Sequence, residues 1–323
     1  MFYFVQSFLS KNLVSRASRF LGMILFTLCF TAFAPAKSWA CACGCGIFDV
    51  GTGSTLPSGP GGIVSLEYDF MNQDTNWSGT SKAPAEDNED KKIRTHFVTA
   101  GFQYLFNRQW GIRIDMPYWD RYFKTTDEDT GEITSSSHGA IGDIRIRGVY
   151  SGFSPDMSTG VTFGLKLPTG DWRDPHFDRD TEIGTGSTDI LLGAYHRGMI
   201  TTHSPFYWFI KGSIDQPVVT QEGYRPGSEF NVALGAYYTP PSTGKLKVTP
   251  MLQVIGSARL RDRGPAAAPS NSGYERVLLA PGLEVGMGSF KVYGDVEFAV
   301  YDRVNGNQLV ASPLFKVILS RNF

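Results

Sequence analysis

The chain has 323 residues, 30 Lys plus Arg against 31 Asp plus Glu, and a net charge of −1. That balance excludes nucleic acid as a partner, which would need a basic surface. Charged residues make up only 19%, aromatics 13%, and there are 36 glycines, which predicts a strand- and turn-rich chain rather than a disordered or helical one.

Residues 1–40 read as a cleaved signal peptide. Lys11, Arg16 and Arg19 form a basic start, Leu21 to Ala36 an apolar stretch, and Ser38-Trp39-Ala40 a small-x-small cleavage site. The apolar stretch is shorter than the ~20 residues a spanning helix needs. Ser38 and Trp39 also depart from the residues that precede a lipidated cysteine. With Lys37 the segment carries four bases and no acid, so its removal leaves a mature charge of −5.

Residues 41–61, CACGCGIFDVGTGSTLPSGPG, are too rich in Gly, Ser and Pro for a regular element and read as an N-terminal arm. Cys29 leaves with the signal peptide, while Cys41, Cys43 and Cys45 remain. Three thiols separated by single small residues can converge on a soft ion such as Cu(I) or Zn²⁺. In an oxidising compartment a local disulfide or a cross-link competes with that reading, and no histidine stands nearby to complete a tetrahedral site. A barrel-anchored metal-handling, redox or assembly role through this arm, with a periplasmic partner, is therefore the alternative function.

From residue 62 to 323 a two-residue alternation recurs, predicting one domain of about twelve strands: 62–72, 93–106, 110–123, 140–152, 158–170, 185–198, 205–217, 229–240, 245–258, 274–287, 290–302 and 308–323. In GVTFGLKLPTG, Val161, Phe163, Leu165 and Leu167 share one face and Thr162, Gly164 and Lys166 the other. In WGIRIDMPYW, Trp110, Ile112, Ile114, Met116 and Tyr118 oppose Arg113 and Asp115. Long polar connections such as 73–92 and 171–184 alternate with tight turns such as Asn107-Arg108-Gln109 and Gly288-Ser289.

A soluble sandwich also alternates, but these segments are long enough to cross a bilayer at a tilt. Aromatics flank them: Trp110, Tyr118, Trp119, Tyr122 and Phe123 around one strand, Tyr237 and Tyr238 at the end of another, as expected of an interfacial belt. The last segment, SPLFKVILSRNF, places Phe315, Val317, Leu319 and Phe323 in one register and resembles the C-terminal signal of bacterial outer-membrane barrels. The fold class predicted is all-β, a transmembrane antiparallel up-and-down barrel, since only a closed sheet satisfies every strand backbone group in lipid. Its partners would be outer-membrane lipid, the barrel assembly machinery and a small-molecule solute, with both termini periplasmic.

Three stretches, GDIRIRGVY (142–150), GLKLPTGD (164–171) and GTGSTDILLGAYH (184–196), resemble the outer-membrane family of transporters associated with the meta pathway of phenol degradation. The resemblance implies a channel for small, organic or aromatic solutes. If the apolar face meets lipid, the opposite face lines the lumen. There the acids Glu67, Asp69, Asp115, Asp143, Asp189, Asp215, Glu284, Asp295 and Glu297 nearly balance the bases Arg113, Arg145, Arg147, Lys166, Arg197, Lys211, Lys291 and Lys316. Neither strong anion nor strong cation selectivity is expected. Arg145 and Arg147, two apart on one face with Asp143 in line, are the foremost solute-binding candidates, followed by Arg113, Asp115 and Lys166. Paired charges bracing the interior are the competing reading.

The remaining candidates are weak. His96, His138, His176, His196 and His203 are scattered, loop WRDPHFDRD (172–180) reads as solvated, and Ser137-His138 lies in a predicted loop without a third catalytic partner. No enzymatic activity is expected.

Overall fold

The computed structural model describes residues 39–40, 56, 59–126, 130–202, 204–241 and 244–323. The expected signal peptide, apart from Trp39 and Ala40, and the three mature cysteines lie outside the described residues.

Twelve strands form the wall: β1 (Gly61–Gly79), β2 (Asp90–Leu105), β3 (Trp110–Thr126), β4 in two segments (Ile133–Ile141 and Arg145–Tyr150), β5 (Thr159–Lys166), β6 (Thr188–Met199), β7 (Phe206–Val219), β8 (Glu229–Tyr238), β9 (Leu246–Arg259), β10 (Tyr274–Met287), β11 (Phe290–Ala311) and β12 (Leu314–Asn322). Each pairs antiparallel with its sequence neighbour, and β12 returns to β1 from Phe315↔Phe70 to Asn322↔Ile63, closing the barrel. β11 contains its own hairpin: Val304 still pairs with Tyr274 of β10, the chain reverses at Gly306 (φ 59°), and residues 307–311 descend along β1. Backbone bonds from Gly62 N–H to Phe323 O (2.8 Å) and from Phe323 N–H to Gly62 O (2.9 Å) finish the seam.

Side chains alternate as the sequence requires. On β8, Glu229, Asn231 and Ala233 are buried inside, while Val232 and Leu234 are 45% and 52% exposed. Phe163, Leu192, Leu252, Leu283 and Val317 continue this apolar exterior around the wall. Such a surface would aggregate in water and is what a bilayer demands. A Leu234→Arg substitution, near the middle of the band, should cost about 2–4 kcal/mol. Denaturant unfolding in lipid vesicles measures it; unchanged stability would place Leu234 outside the hydrocarbon.

The interior is less polar than the alternation suggested. Met71, Phe97, Tyr195, Phe209, Met251, Ile255, Leu278, Tyr293, Leu314 and Ile318 form an apolar cluster with Trp119 and Tyr237 packed against it. The expected aromatic belt is corrected accordingly. Trp110 and Tyr118 do face outward, but Trp119 and Phe123 occupy inward positions, and Tyr237 stacks on Tyr207 at 5.3 Å beside the cluster. Several boundaries also move. β1 runs seven residues past Asn72, residues 133–139, expected as loop, pair with β3 as part of Ile133–Ile141, and residues 308–311, expected to begin the last strand, belong to β11. The segment Ile133–Ile141, ITSSSHGAI, rises beyond the apolar band, where alternation is no longer needed to keep a strand out of lipid.

Candidate functional site

Strands β1 to β8 enclose a cavity of about 180 Å³. It is lined by all six solute-binding candidates of the sequence, Arg113, Asp115, Asp143, Arg145, Arg147 and Lys166, while Arg197, Glu284, Lys291, Asp295, Glu297 and Lys316 of the expected lumen set do not border it. Cross-strand register explains their convergence. Arg113 of β3 stands beside Arg147 of β4, and Arg145 stands beside both Asp115 of β3 and Lys166 of β5. Four cations so close would repel, and acidic side chains separate them. Arg113 Nη2 and Arg147 Nη1 each reach Asp115 at 2.8 Å, Arg145 reaches Asp215 of β7 at 3.2 Å, and Lys166 reaches Asp189 of β6 at 2.6 Å. Asp115, Lys166 and Asp189 are buried, where a charge must be paired to be tolerable.

The lining holds seven acids and six bases, so it carries no strong field of one sign. Phe97, Trp119, Tyr195, Val149 and Ile183 supply apolar surface between the charges. On the β11–β12–β1 side, Lys316 Nζ lies 3.0 Å from Glu67 and 3.7 Å from Asp69, with Asp295 and Glu297 adding to the field around it. Tyr293 donates to Asp295 at 2.6 Å and accepts from Gln253 at 2.7 Å. These groups brace the filled side of the barrel.

The long connection 167–187 turns inward, contrary to the solvated loop expected. Phe177 crosses the mouth and packs with Ile93 of β2, Phe123 of β3 and Leu309 on the descending arm of β11. Its ring lies 5.5 Å from that of Phe123. Ile183, 1% exposed, caps the cavity beside Thr185. Arg121, fully buried on β3, donates to Thr95 Oγ1 at 3.0 Å and to the backbone oxygens of Thr181 and Glu182. The loop base is held by Asp143: Oδ1 accepts from Gly170 N–H at 3.0 Å, and Oδ2 accepts from Thr185 N–H at 3.0 Å and Thr185 Oγ1 at 2.6 Å. Of the six candidates, Asp143 is thus engaged by the loop.

Burial inside the mouth pushes the Glu182 carboxyl up to about 8, reinforced by Asp171 and Asp174. Desolvation and the neighbouring Asp262 push Asp180 up to about 7. Two further loops close over this region. Tyr224 donates to Asp262 at 2.7 Å, and Asp262 also accepts from Arg259 at 2.8 Å and Gly227 N–H at 2.7 Å. Leu56 of the N-terminal arm is buried and also lines the cavity.

Of the scattered histidines, His138 lies between Asp171 and Asp174, at 3.0 and 3.3 Å. His96 meets Tyr68, His196 meets Thr159, and His203 lies outside the described residues. Cys41, Cys43 and Cys45 lie outside them too, and among the described residues no group of His, Cys, Asp and Glu has metal-binding geometry. Sequence reasoning missed Arg121, Glu182, Arg259 and Asp262. The one available signal was Trp172, Phe177 and Ile183, three large apolar side chains in a stretch, 168–187, otherwise built of Gly, Pro, small polar and charged residues.

Neither a family profile nor a curated protein matches the sequence. Among solved structures, the fold is similar to an outer membrane channel from Pseudomonas putida F1, with a TM-score of 0.65 and 11% identity over 85% of this chain and 100% of that one. It is also similar to the beta domain of the Bordetella autotransporter BrkA, with a TM-score of 0.51 and 11% identity over 82% of this chain and 100% of that one. At such identity the likeness concerns the fold.

Proposed function

We propose that the protein is an outer-membrane channel for small solutes, with its long loops facing outward and the short turns, termini and cysteine arm periplasmic. The observation that carries this reading is the charge-balanced, partly aromatic cavity within a closed wall whose exterior is apolar. A barrel serving only as scaffold has no use for a space bordered by Arg113, Arg145, Arg147 and Lys166. The paired charges leave small neutral and weakly charged organic molecules as the solutes best matched, their apolar parts against Phe97, Trp119 and Tyr195. The resemblance of the three Gly-rich stretches to transporters of the phenol meta pathway supports the same class.

Uptake into proteoliposomes tests the reading directly. The native protein should pass small organic solutes, and the Arg145→Ala/Arg147→Ala pair should lower the flux of aromatic carboxylates several-fold relative to neutral aromatics of the same size. In a planar bilayer the same pair should move the reversal potential toward cations, because two positive charges leave the lining: Asp215 loses Arg145, and Asp115 loses Arg147 while keeping Arg113. No permeation by the native barrel would end the channel reading. Normal permeation with unchanged selectivity would make the two arginines braces alone.

A further inference from the structure

The outward faces of β1, β2 and β3 change from apolar to polar at one level. Tyr68, Val98 and Tyr118 pair across the three strands, and one two-residue step higher stand Phe70, His96 and Asp120. The next step brings Asn72, Arg94 and Tyr122, and the one above it sets Lys92 beside Lys124. Their neighbours Ile93, Arg121 and Phe123 are buried inside, so these cations share the outer face. At the tilt of such barrels each step climbs about 5 Å. Arg94, Lys92 and Lys124 therefore lie just above the apolar band, where long basic side chains meet lipid headgroups.

The sheet gains nothing from that placement, because like charges directly opposite on neighbouring strands destabilise it. Lys92 and Lys124 are such a pair, and Arg94 stands diagonal to Lys124. Two carboxylates share this face. Asp74 lies 3.6 Å from Lys92 and already accepts from Asn72 at 2.7 Å, while Asp120 stands a step below Arg94, opposite His96. Arg94 is exposed and lies over the Tyr122 ring, 5.3 Å from its centroid. Among the described residues, neither Arg94 nor Lys124 has a carboxylate within ion-pair distance. Arg303, on the outward face of β11, is by contrast paired with Glu275 at 3.3 Å.

We propose that this patch of β2 and β3 binds the phosphorylated headgroup of an outer-leaflet glycolipid, with Arg94 and Lys124 holding a phosphate and Lys92 beside it. Guanidinium and ammonium groups form charge-assisted hydrogen bonds to phosphate oxygens, and the phosphate relieves the repulsion between the two lysines. Ser137 and Ser135 of the upper β4 segment, opposite Tyr122 and Lys124, offer hydroxyls to the sugar. Directly below, Phe70, Phe315, Val98 and Tyr118 continue the apolar surface on which acyl chains lie. A free anion would meet only an open patch screened by salt, whereas a lipid adds acyl contact to the same charges. The site rests on the outward orientation of the long loops in the channel reading, not on conduction.

Native mass spectrometry of the full barrel in detergent, with diphosphorylated lipid A as the probe, reads the site without transport. The native protein should retain the lipid, and Arg94→Ala/Lys124→Ala should weaken binding on the order of thirtyfold, as expected for two surface cations. Arg303→Ala should bind as the native protein does, and dephosphorylated lipid should bind the native and double-variant barrels equally weakly. Equal binding of the phosphorylated lipid by the native and double-variant barrels overturns the site. Equal binding of phosphorylated and dephosphorylated lipid by the native barrel does the same. Displacement of the lipid by low millimolar inorganic phosphate would assign the patch to a soluble anion and also overturn it. A barrel that binds the lipid and conducts nothing keeps this site and loses the channel reading; one that conducts and ignores the phosphate does the reverse.

Discussion

An Asp143→Ala barrel should conduct several times more than the native one, because the inward loop loses its anchor. Three hydrogen bonds converge on this carboxylate, from Gly170 N–H, Thr185 N–H and Thr185 Oγ1, and Lys166 stands 3.8 Å away. Bonds to an ionised acceptor contribute more than neutral ones, and removing the acceptor leaves buried N–H groups without partners. The loss should be about 3–4 kcal/mol of docking free energy. That lowers the equilibrium constant for docking by more than a hundredfold at tenfold per ~1.4 kcal/mol. The wall should survive, since Lys166 retains Asp189 at 2.6 Å. Single-channel recording measures the opening, and exchange rates over 167–187 confirm its origin. Asp143→Asn should lie between, since its carbonyl can still accept from Gly170 or Thr185 but not from all three donors. Equal conductance for Asp143→Ala and the native barrel would mean that the loop does not limit passage.

Gly184→Val should have a comparable effect by sterics instead of charge. A Cβ at residue 184 would sit 2.5 Å from the carbonyl carbon and oxygen of Gly170 and 2.8 Å from its Cα. These are backbone atoms, pinned in turn by Asp143, and cannot yield as a flexible side chain would. Conversely, a Cβ on Gly170 would lie 2.7 Å from Gly184 Cα. The two ends of the loop therefore touch backbone to backbone, a contact open only to glycine. Overpacking of this kind costs typically ~1–3 kcal/mol and more when backbone must move. Gly184→Val should raise conductance and lower the barrel's apparent melting temperature only slightly, because the strands are untouched. Gly244→Ala, with nothing within 4 Å of the added atom, is the neutral control.

The barrel was legible in the sequence because a half-lipid, half-lumen strand must alternate, and β5, β8 and β12 do so residue by residue. The cluster of Arg113, Asp115, Arg145, Arg147 and Lys166 was legible for the same reason, since shared parity on neighbouring strands is enough to bring side chains together. Pairing was not. That Arg145 would meet Asp215 depends on lumen width, which periodicity does not encode. Trp119 and Phe123 misled because an inward aromatic near a strand end looks the same in sequence as one in an interfacial belt. The inward loop was hidden because its burial depends on Phe177 reaching across to Ile93 and Leu309, contacts between distant parts of the chain with no local period. The three Gly-rich stretches contained it all the same: Asp143 from the first, Gly170 from the second, and Gly184 with Thr185 from the third assemble into the single anchor at the loop base.

The seam between β1 and β12 governs when the barrel can be finished. Phe315 pairs with Phe70 and Ile318 with Glu67, and above them the descending arm of β11 pairs with the same strand from Asn307↔Ser78 to Ala311↔Gln73, partners separated by most of the wall's sequence, whereas strands that are sequence neighbours are joined by a short connection or a single loop. Hairpins such as β10–β11 can form locally and early, but the first strand keeps a bare edge until the arm of β11 and the last strand arrive. Contacts of such long sequence separation are slow to form, and an open edge in hydrocarbon leaves N–H and C=O groups without partners. The rate-limiting event in assembly should therefore be closure, not strand formation. A chain shortened by the few residues of β12 would remain an open, adhesive sheet instead of becoming a smaller barrel.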